Sequence, residues 1–173
     1  MISRKRLVLL AAQGFGVGRI PLAPGTFGTL LGLPWTWLLL AAGTPWLYLL
    51  GTLLGLGAAV WIADAAEQIL GRKDAASIVV DEYAALPLAF FGWFLLWRLG
   101  NGRWPAPGVM WQHFNWILSL GVFVLFRLFD IVKPWPIRAT QNLWGGLGVV
   151  IDDVAAALAA GAVTFLVLSL LTT

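Results

Sequence analysis

The sequence predicts an all-α integral membrane protein. It is read as one domain over residues 1–173, a helical bundle of about five membrane-embedded helices, one of them short, plus an N-terminal interfacial helix. Three observations predict this. Hydrophobic residues make up 60% of the chain and charged residues only 11%, where a soluble domain carries about a quarter charged. The mean hydropathy is +0.87. The apolar residues fall in runs approaching the ~20 that a helix needs to cross a bilayer, and none alternates as a strand would.

The start, "MISRKRLVLLAAQGFG", has an apolar core of only six residues, Leu7 to Ala12, below the usual signal-peptide length of about 7–15. It reads as a short helix at the membrane surface, anchored by Arg4, Lys5 and Arg6. Span one is Thr26–Ala42 and span two Pro45–Ala66; the link of Gly43 and Thr44 demands an antiparallel hairpin. A polar segment, Asp64 to Glu82, follows. The third apolar stretch, Tyr83–Trp97, is the short one, and "RLGNGRWPAPG" breaks the pattern after it. Span four covers Trp111–Phe129 and span five Val149–Leu171.

Lys and Arg placement orients the bundle. With the N-terminus in the cytoplasm, Arg4, Lys5, Arg6, Arg19, Arg72, Lys73, Arg127, Lys133 and Arg138 lie inside, and only Arg98 and Arg103 outside. All 8 acidic residues then fall at the cytoplasmic end, while His113 falls at the other. Acid placement did not set the orientation, so the polarity is informative. It puts an active site at the cytoplasmic ends of the helices of a multi-pass protein. The basic residues form no run suited to nucleic acid, and with no cysteine there is no thiol nucleophile or thiolate metal site.

Five carboxylates occur at span mouths: Asp81 and Glu82, Asp130, Asp152 and Asp153. Acids favour helix N-termini, so capping is one reading of the two pairs. Capping does not explain why both are doubled within "SIVVDEYAAL" and "GVVIDDVAAAL". Each ionised group in a membrane helix costs about 2.5–3.5 kcal/mol, and adjacent acids repel. A divalent cation relieves both penalties, and oxygen ligands without His or Cys suit Mg²⁺.

In "FRLFDIVKPWPIRAT", Arg127, Asp130 and Lys133 stand at i, i+3 and i+6. An intrahelical ion chain is one reading. Pro134 and Pro136 favour another, in which Lys133 leaves the helix with Arg138 following. Carboxylates for a metal, with Arg and Lys for a phosphate, are the parts of metal-assisted phosphoryl chemistry. "GFGVGRIPLAPGTFGT" lacks a P-loop ending. It either offers backbone N–H groups near Thr26 to an anion or forms an ordinary cap. "GGLG", Gly145–Gly148, reads as a close-approach turn beside the site.

Taken in order, "GFGVGRIPLAPGTFGT", "SIVVDE", "FRLFDIVKPWPI" and "GGLGVVIDDVAA" closely resemble the phosphatidylglycerophosphatase A family of bacterial inner-membrane lipid phosphatases, from about Gly14 to Ala160. The resemblance implies Mg²⁺-dependent hydrolysis of the terminal phosphate of phosphatidylglycerophosphate, a membrane phospholipid, giving phosphatidylglycerol. Motif by motif it implies a site of Asp81, Glu82, Arg127, Asp130, Lys133, Asp152 and Asp153, with weaker matches at Thr26 and Asp74. The expected assignment is therefore catalytic and metal-binding roles for Asp81, Glu82, Asp130, Asp152 and Asp153. Arg127, Lys133, Arg138 and Thr26 would bind the substrate phosphate. Ala85, Thr29 and Trp144 depart from the commoner family pattern, in which glycine, serine and a polar residue are frequent there.

Histidine-nucleophile lipid phosphatases require two histidines, and this chain has one. The alternative is a small ion or metal transporter with a cytoplasmic acidic cation site. It would place charges deep within spans, whereas here they gather at one end. The nucleophile stays open between a metal-activated water and an attacking carboxylate.

Overall fold

The structure, a computed structural model, describes residues 3–135 and 145–172, so Arg138, Pro136 and Trp144 lie outside the described residues. Among the described residues six α-helices carry the fold: α1 (Arg4–Ala12), α2 (Pro24–Leu40), α3 (Pro45–Leu70), α4 (Val80–Asn101), α5 (Asn115–Val132) and α6 (Gly145–Thr172). Short 3₁₀ segments lie at Gly14–Arg19 and Pro107–Met110. No strand occurs among the described residues.

Local chemistry sets the helix ends. The Ser3 hydroxyl accepts from the Arg6 N–H at 3.4 Å to open α1, and Thr44 accepts from the Leu47 N–H at 3.3 Å to open α3. Pro45 follows at the first helical position, where its missing N–H costs nothing. Gly71 and Gly102 close α3 and α4 in the left-handed conformation. α1 buries Val8 and Ala12 and leaves Leu7 and Leu10 exposed beside its basic residues, as an interfacial helix should.

Helices α3, α4, α5 and α6 are each long and apolar enough to span a membrane. α2, at 17 residues, completes the set of five. The short member is therefore α2, not the third stretch as expected from Tyr83–Trp97, because α4 has 22 residues. Asp81 and Glu82 do not precede α4 but form its first turn, where unpaired N–H groups favour carboxylates. Arg98 to Asn101 extend its other end.

α4 is the central helix and packs against α2, α3, α5 and α6. α2 and α3 are joined by a tight link, yet α2 packs mainly on α4, and α3 on α6 and α4. At the α4–α6 crossing a Cβ on Gly92 would collide with the Gly161 carbonyl oxygen. Ala85, Ala89, Ala156, Ala157 and Ala160 are buried, the small-residue packing that lets membrane helices approach closely. Tyr48 on α3 donates its hydroxyl to the Pro87 carbonyl at 2.8 Å, tying α3 to the middle of α4.

Alternation of the helices brings the first turns of α2 and α4, the early part of α6 and the end of α5 to one end of the bundle, where they share a cavity. Arg98 lies in the last turn of α4, at the opposite end of that helix from Asp81 and Glu82.

Candidate active site

The shared cavity has a volume of about 280 Å³. α2 contributes Ala23, Pro24 and Gly25 at its start, and α4 contributes Asp81 and Glu82. Arg127, Asp130 and Lys133 come from the end of α5, and Asp152 and Asp153 from α6. All five predicted carboxylates and two of the predicted cations thus meet in one place.

Their partners divide the acids into two groups. Asp81, Glu82 and Asp153 each present a carboxylate oxygen within 4.8 Å of the others. Asp81 Oδ1 and Glu82 Oε2 are buried without a hydrogen-bond partner. Three acids this close cannot all ionise unless a cation joins them, and unpaired buried acceptors are costly. An all-oxygen donor set of this kind fits Mg²⁺. Asp130 and Asp152, by contrast, are engaged with cations. Asp130 pairs with Arg127 and lies 3.9 Å from the Lys133 Nζ, while Asp152 accepts directly from Lys133.

Lys133 reaches Asp152 because α5 stops there. Lys133 caps the helix with φ 44° and ψ 60°, and its N–H still donates to the Phe129 carbonyl at 2.8 Å. Pro134 disfavours the right-handed helical conformation at Lys133. The expectation that Lys133 leaves the helix is met, but part of the ion-chain reading also holds, since Arg127 and Lys133 both face Asp130. Partial burial lowers the pKa of the Lys133 ammonium. The hydrogen bond and charge of Asp152, with Asp130 and Asp153 beyond, outweigh that and hold it above the ordinary lysine value.

Arg127 has a further partner that the sequence did not single out for the site. Its Nη1 lies 3.4 Å from Thr29 Oγ1, and Thr29 donates to the Gly25 carbonyl at 2.9 Å. In the sequence Thr29 stands out only as a departure from the family pattern. Thr26, the predicted phosphate contact, is half-buried in the first turn of α2 and does not line the cavity. Gly25 does. A Cβ there would collide with Glu82 Oε1 and stand 3.0 Å from Arg127 Nη2. Glu82 and Arg127 therefore close directly on the α2 backbone, and the positive end of the α2 dipole faces the cavity. The signal was present in "APGT", where glycine follows a proline at a helix start.

Lys73 and Asp74 line the mouth from the α3–α4 connection. The Asp74 N–H donates to Glu67 Oε1 at 2.5 Å, and Asp74 has φ 47°. In the sequence Lys73 reads only as an orientation signal, since nothing in its neighbours marks it as part of a site. The predicted close approach at "GGLG" appears as Gly146 packed on the α3 backbone at Val60 and Asp64, with Gly148 lining the cavity. Arg138, assigned to phosphate, lies outside the described residues. Chemically, the cavity opposes an acidic triad to two cations held in place by their own carboxylates. Such an arrangement could hold a phosphoester between a cation on the acids and the fixed positive charge.

The sequence matches the family model described as phosphatidylglycerophosphatase A over residues 10–168. It is 33% identical over 160 residues to phosphatidylglycerophosphatase A of Escherichia coli (strain K12), covering 91% of this chain and 81% of the relative. It is 37% identical over 165 residues to phosphatidylglycerophosphatase A of Haemophilus influenzae, covering 95% of this chain and 90% of the relative. A Bacteroides thetaiotaomicron protein named "Putative phosphatidylinositol-3-phosphatase" is 36% identical over 156 residues, covering 87% and 86%. No solved structure gives a significant match.

Proposed function

Because the chain belongs to the phosphatidylglycerophosphatase A family and is a phosphatase, we propose that its substrate is phosphatidylglycerophosphate. Water cleaves the terminal phosphomonoester, and the products are phosphatidylglycerol and inorganic phosphate. The observation that carries this reading is the opposition, across one cavity, of Asp81, Glu82 and Asp153 to Arg127 and Lys133.

In this reading Arg127 grips phosphate oxygens with its planar fork and Lys133 adds one compact charge. Asp130 holds the guanidinium and Asp152 the ammonium, so both cations are aimed before substrate arrives. The α2 N-terminus at Gly25 presents its positive end to the same phosphate. Asp81, Glu82 and Asp153 would hold Mg²⁺, which when bound supplies charge neutralisation at the phosphate and activation of water. Asp130 and Asp152 take part by orienting the cations rather than as primary ligands, which narrows the five-ligand expectation.

We place the protein in a bacterial inner membrane with the cavity facing the cytoplasm, on the charge bias that puts nine of eleven Lys and Arg residues at that end. A transporter reading has lost its support, because the charges converge on a terminal cavity and the relatives are phosphatases. The test is phosphate release by the purified protein from phosphatidylglycerophosphate, with and without excess chelator. Phosphatidylinositol-3-phosphate serves as the competing substrate. Faster release from the inositol lipid would reassign the headgroup, and undiminished turnover in chelator would remove the metal.

A further inference from the structure

Apart from the catalytic cavity, a second space of about 570 Å³ lies between α1 and α3. Arg4, Lys5 and Val8 line it from α1, and Trp61, Ala65 and Ile69 from α3. Its chemistry is two-sided. One wall is apolar, and the other carries two cations at the membrane-surface end of the bundle. The Arg4 guanidinium lies over the Trp61 ring, 5.9 Å from its centroid, a cation–π arrangement that fixes the side chain.

Neither Arg4 nor Lys5 has a carboxylate within ion-pair distance among the described residues. The acids of α3 nearest in sequence are already engaged. Asp64 accepts from Gln68, itself a lining residue, at 2.8 Å, and Glu67 accepts from the Asp74 N–H. The groove therefore holds two cations without an ion pair above a floor that is apolar except for Gln68. A free anion would leave that floor wet, and a neutral lipid would leave the charge unmet.

We propose that this groove is a binding site for an anionic phospholipid, with the phosphodiester on Arg4 and Lys5 and the upper acyl chain against Val8, Trp61, Ala65 and Ile69. The site is separate from the catalytic cavity and does not depend on the substrate assignment. It touches the enzyme's core through α1. The Ala12 carbonyl accepts from the Val79 N–H at 2.9 Å, and the Ala11 carbonyl from the Tyr83 hydroxyl at 3.1 Å. Those two donors flank Asp81 and Glu82. A lipid that seats α1 thus steadies the first turn of α4.

Arg6 supplies the discriminating control, because it carries the same charge on the same helix but does not line the groove. The protein would be reconstituted in nanodiscs of equal phosphatidylglycerol and phosphatidylcholine, released into detergent, and the retained lipid weighed by native mass spectrometry. Arg4→Ala and Lys5→Ala should each lower retained phosphatidylglycerol about fivefold, the effect of about 1 kcal/mol per basic residue. Arg6→Ala, off the groove, should change it clearly less than either. Trp61→Leu keeps the floor apolar and should weaken retention by freeing Arg4. Equal losses in the Arg4, Lys5 and Arg6 variants would reduce the groove to diffuse surface attraction and overturn the proposal. Displacement of the lipid by millimolar inorganic phosphate would overturn it as well, as would equal retention of phosphatidylcholine. Circular dichroism on each variant guards against loss of α1 itself.

Discussion

Lys133, left-handed at the end of α5, donates to Asp152 on α6 and so fastens the chain break to the opposite wall of the cavity. The contact exists only because the helix ends where it does. Pro134→Ala relieves the restriction on Lys133 and allows α5 to continue, carrying the ammonium away from Asp152. Turnover should fall about tenfold, roughly 1.4 kcal/mol in the transition state, with normal protein levels. Full activity would make the proline break incidental.

Lys133→Gly separates backbone from charge. Glycine accepts positive φ without the penalty a lysine bears, so the thermal midpoint should hold or rise slightly. Turnover should nonetheless drop about 100-fold, the scale for removing a charge-stabilising group. A variant that loses stability but keeps turnover would assign Lys133 to the fold alone.

Arg127 bridges Asp130 and Thr29, which a lysine's single ammonium cannot match in shape. Arg127→Lys should cost about tenfold or more in kcat/KM, measured by phosphate release from reconstituted protein. Thr29→Val, which removes the long contact to Arg127 and the hydroxyl's bond to the Gly25 carbonyl within α2, should cost less. An active Arg127→Lys variant would leave the ion chain as a structural device.

The acidic triad makes a prediction of opposite signs. Asp81→Asn, Glu82→Gln and Asp153→Asn remove mutual repulsion, so each should raise the melting temperature in chelator while abolishing the Mg²⁺-dependent increase in it. Turnover should fall at least 100-fold. Asp64→Asn and Glu67→Gln, outside the cavity, should leave turnover nearly intact. Equal losses at all five positions would make the carboxylates structural.

Gly25→Ala tests the approach of Glu82 and Arg127 to the α2 backbone. The added methyl group has nowhere to go without displacing one of them. We expect a loss of about tenfold or more in turnover with membrane insertion unchanged. Wild-type kinetics in this variant would show the α2 N-terminus to be remote from the reacting phosphate.

Much of this architecture was legible because bilayer physics is strict. Uninterrupted apolar runs located the spans, and the basic residues gave them alternating directions before any acid was considered. The bundle then brought Asp81, Glu82, Asp130, Asp152 and Asp153 together as that orientation required. The length of α4 was not legible, since an acidic pair at the start of an apolar run looks like a boundary when its cavity cannot be seen. Nor was the division of the five acids into a triad and two cation holders, which depends on where Lys133 goes after its helix ends. Thr26 and Thr29 lie three residues apart on one helix, and only the packing of α2 against Arg127 brings Thr29 to the site.

The position of the cavity at the ends of α2, α4, α5 and α6 limits the lipid pool from which the enzyme draws. A phosphate attached to a diacyl tail can reach those helix ends only from the monolayer whose headgroups lie at that level. Molecules in the opposite monolayer are out of reach until something carries them across. The ratio of substrate to product in one leaflet, rather than in the whole membrane, is then the quantity that this enzyme sets.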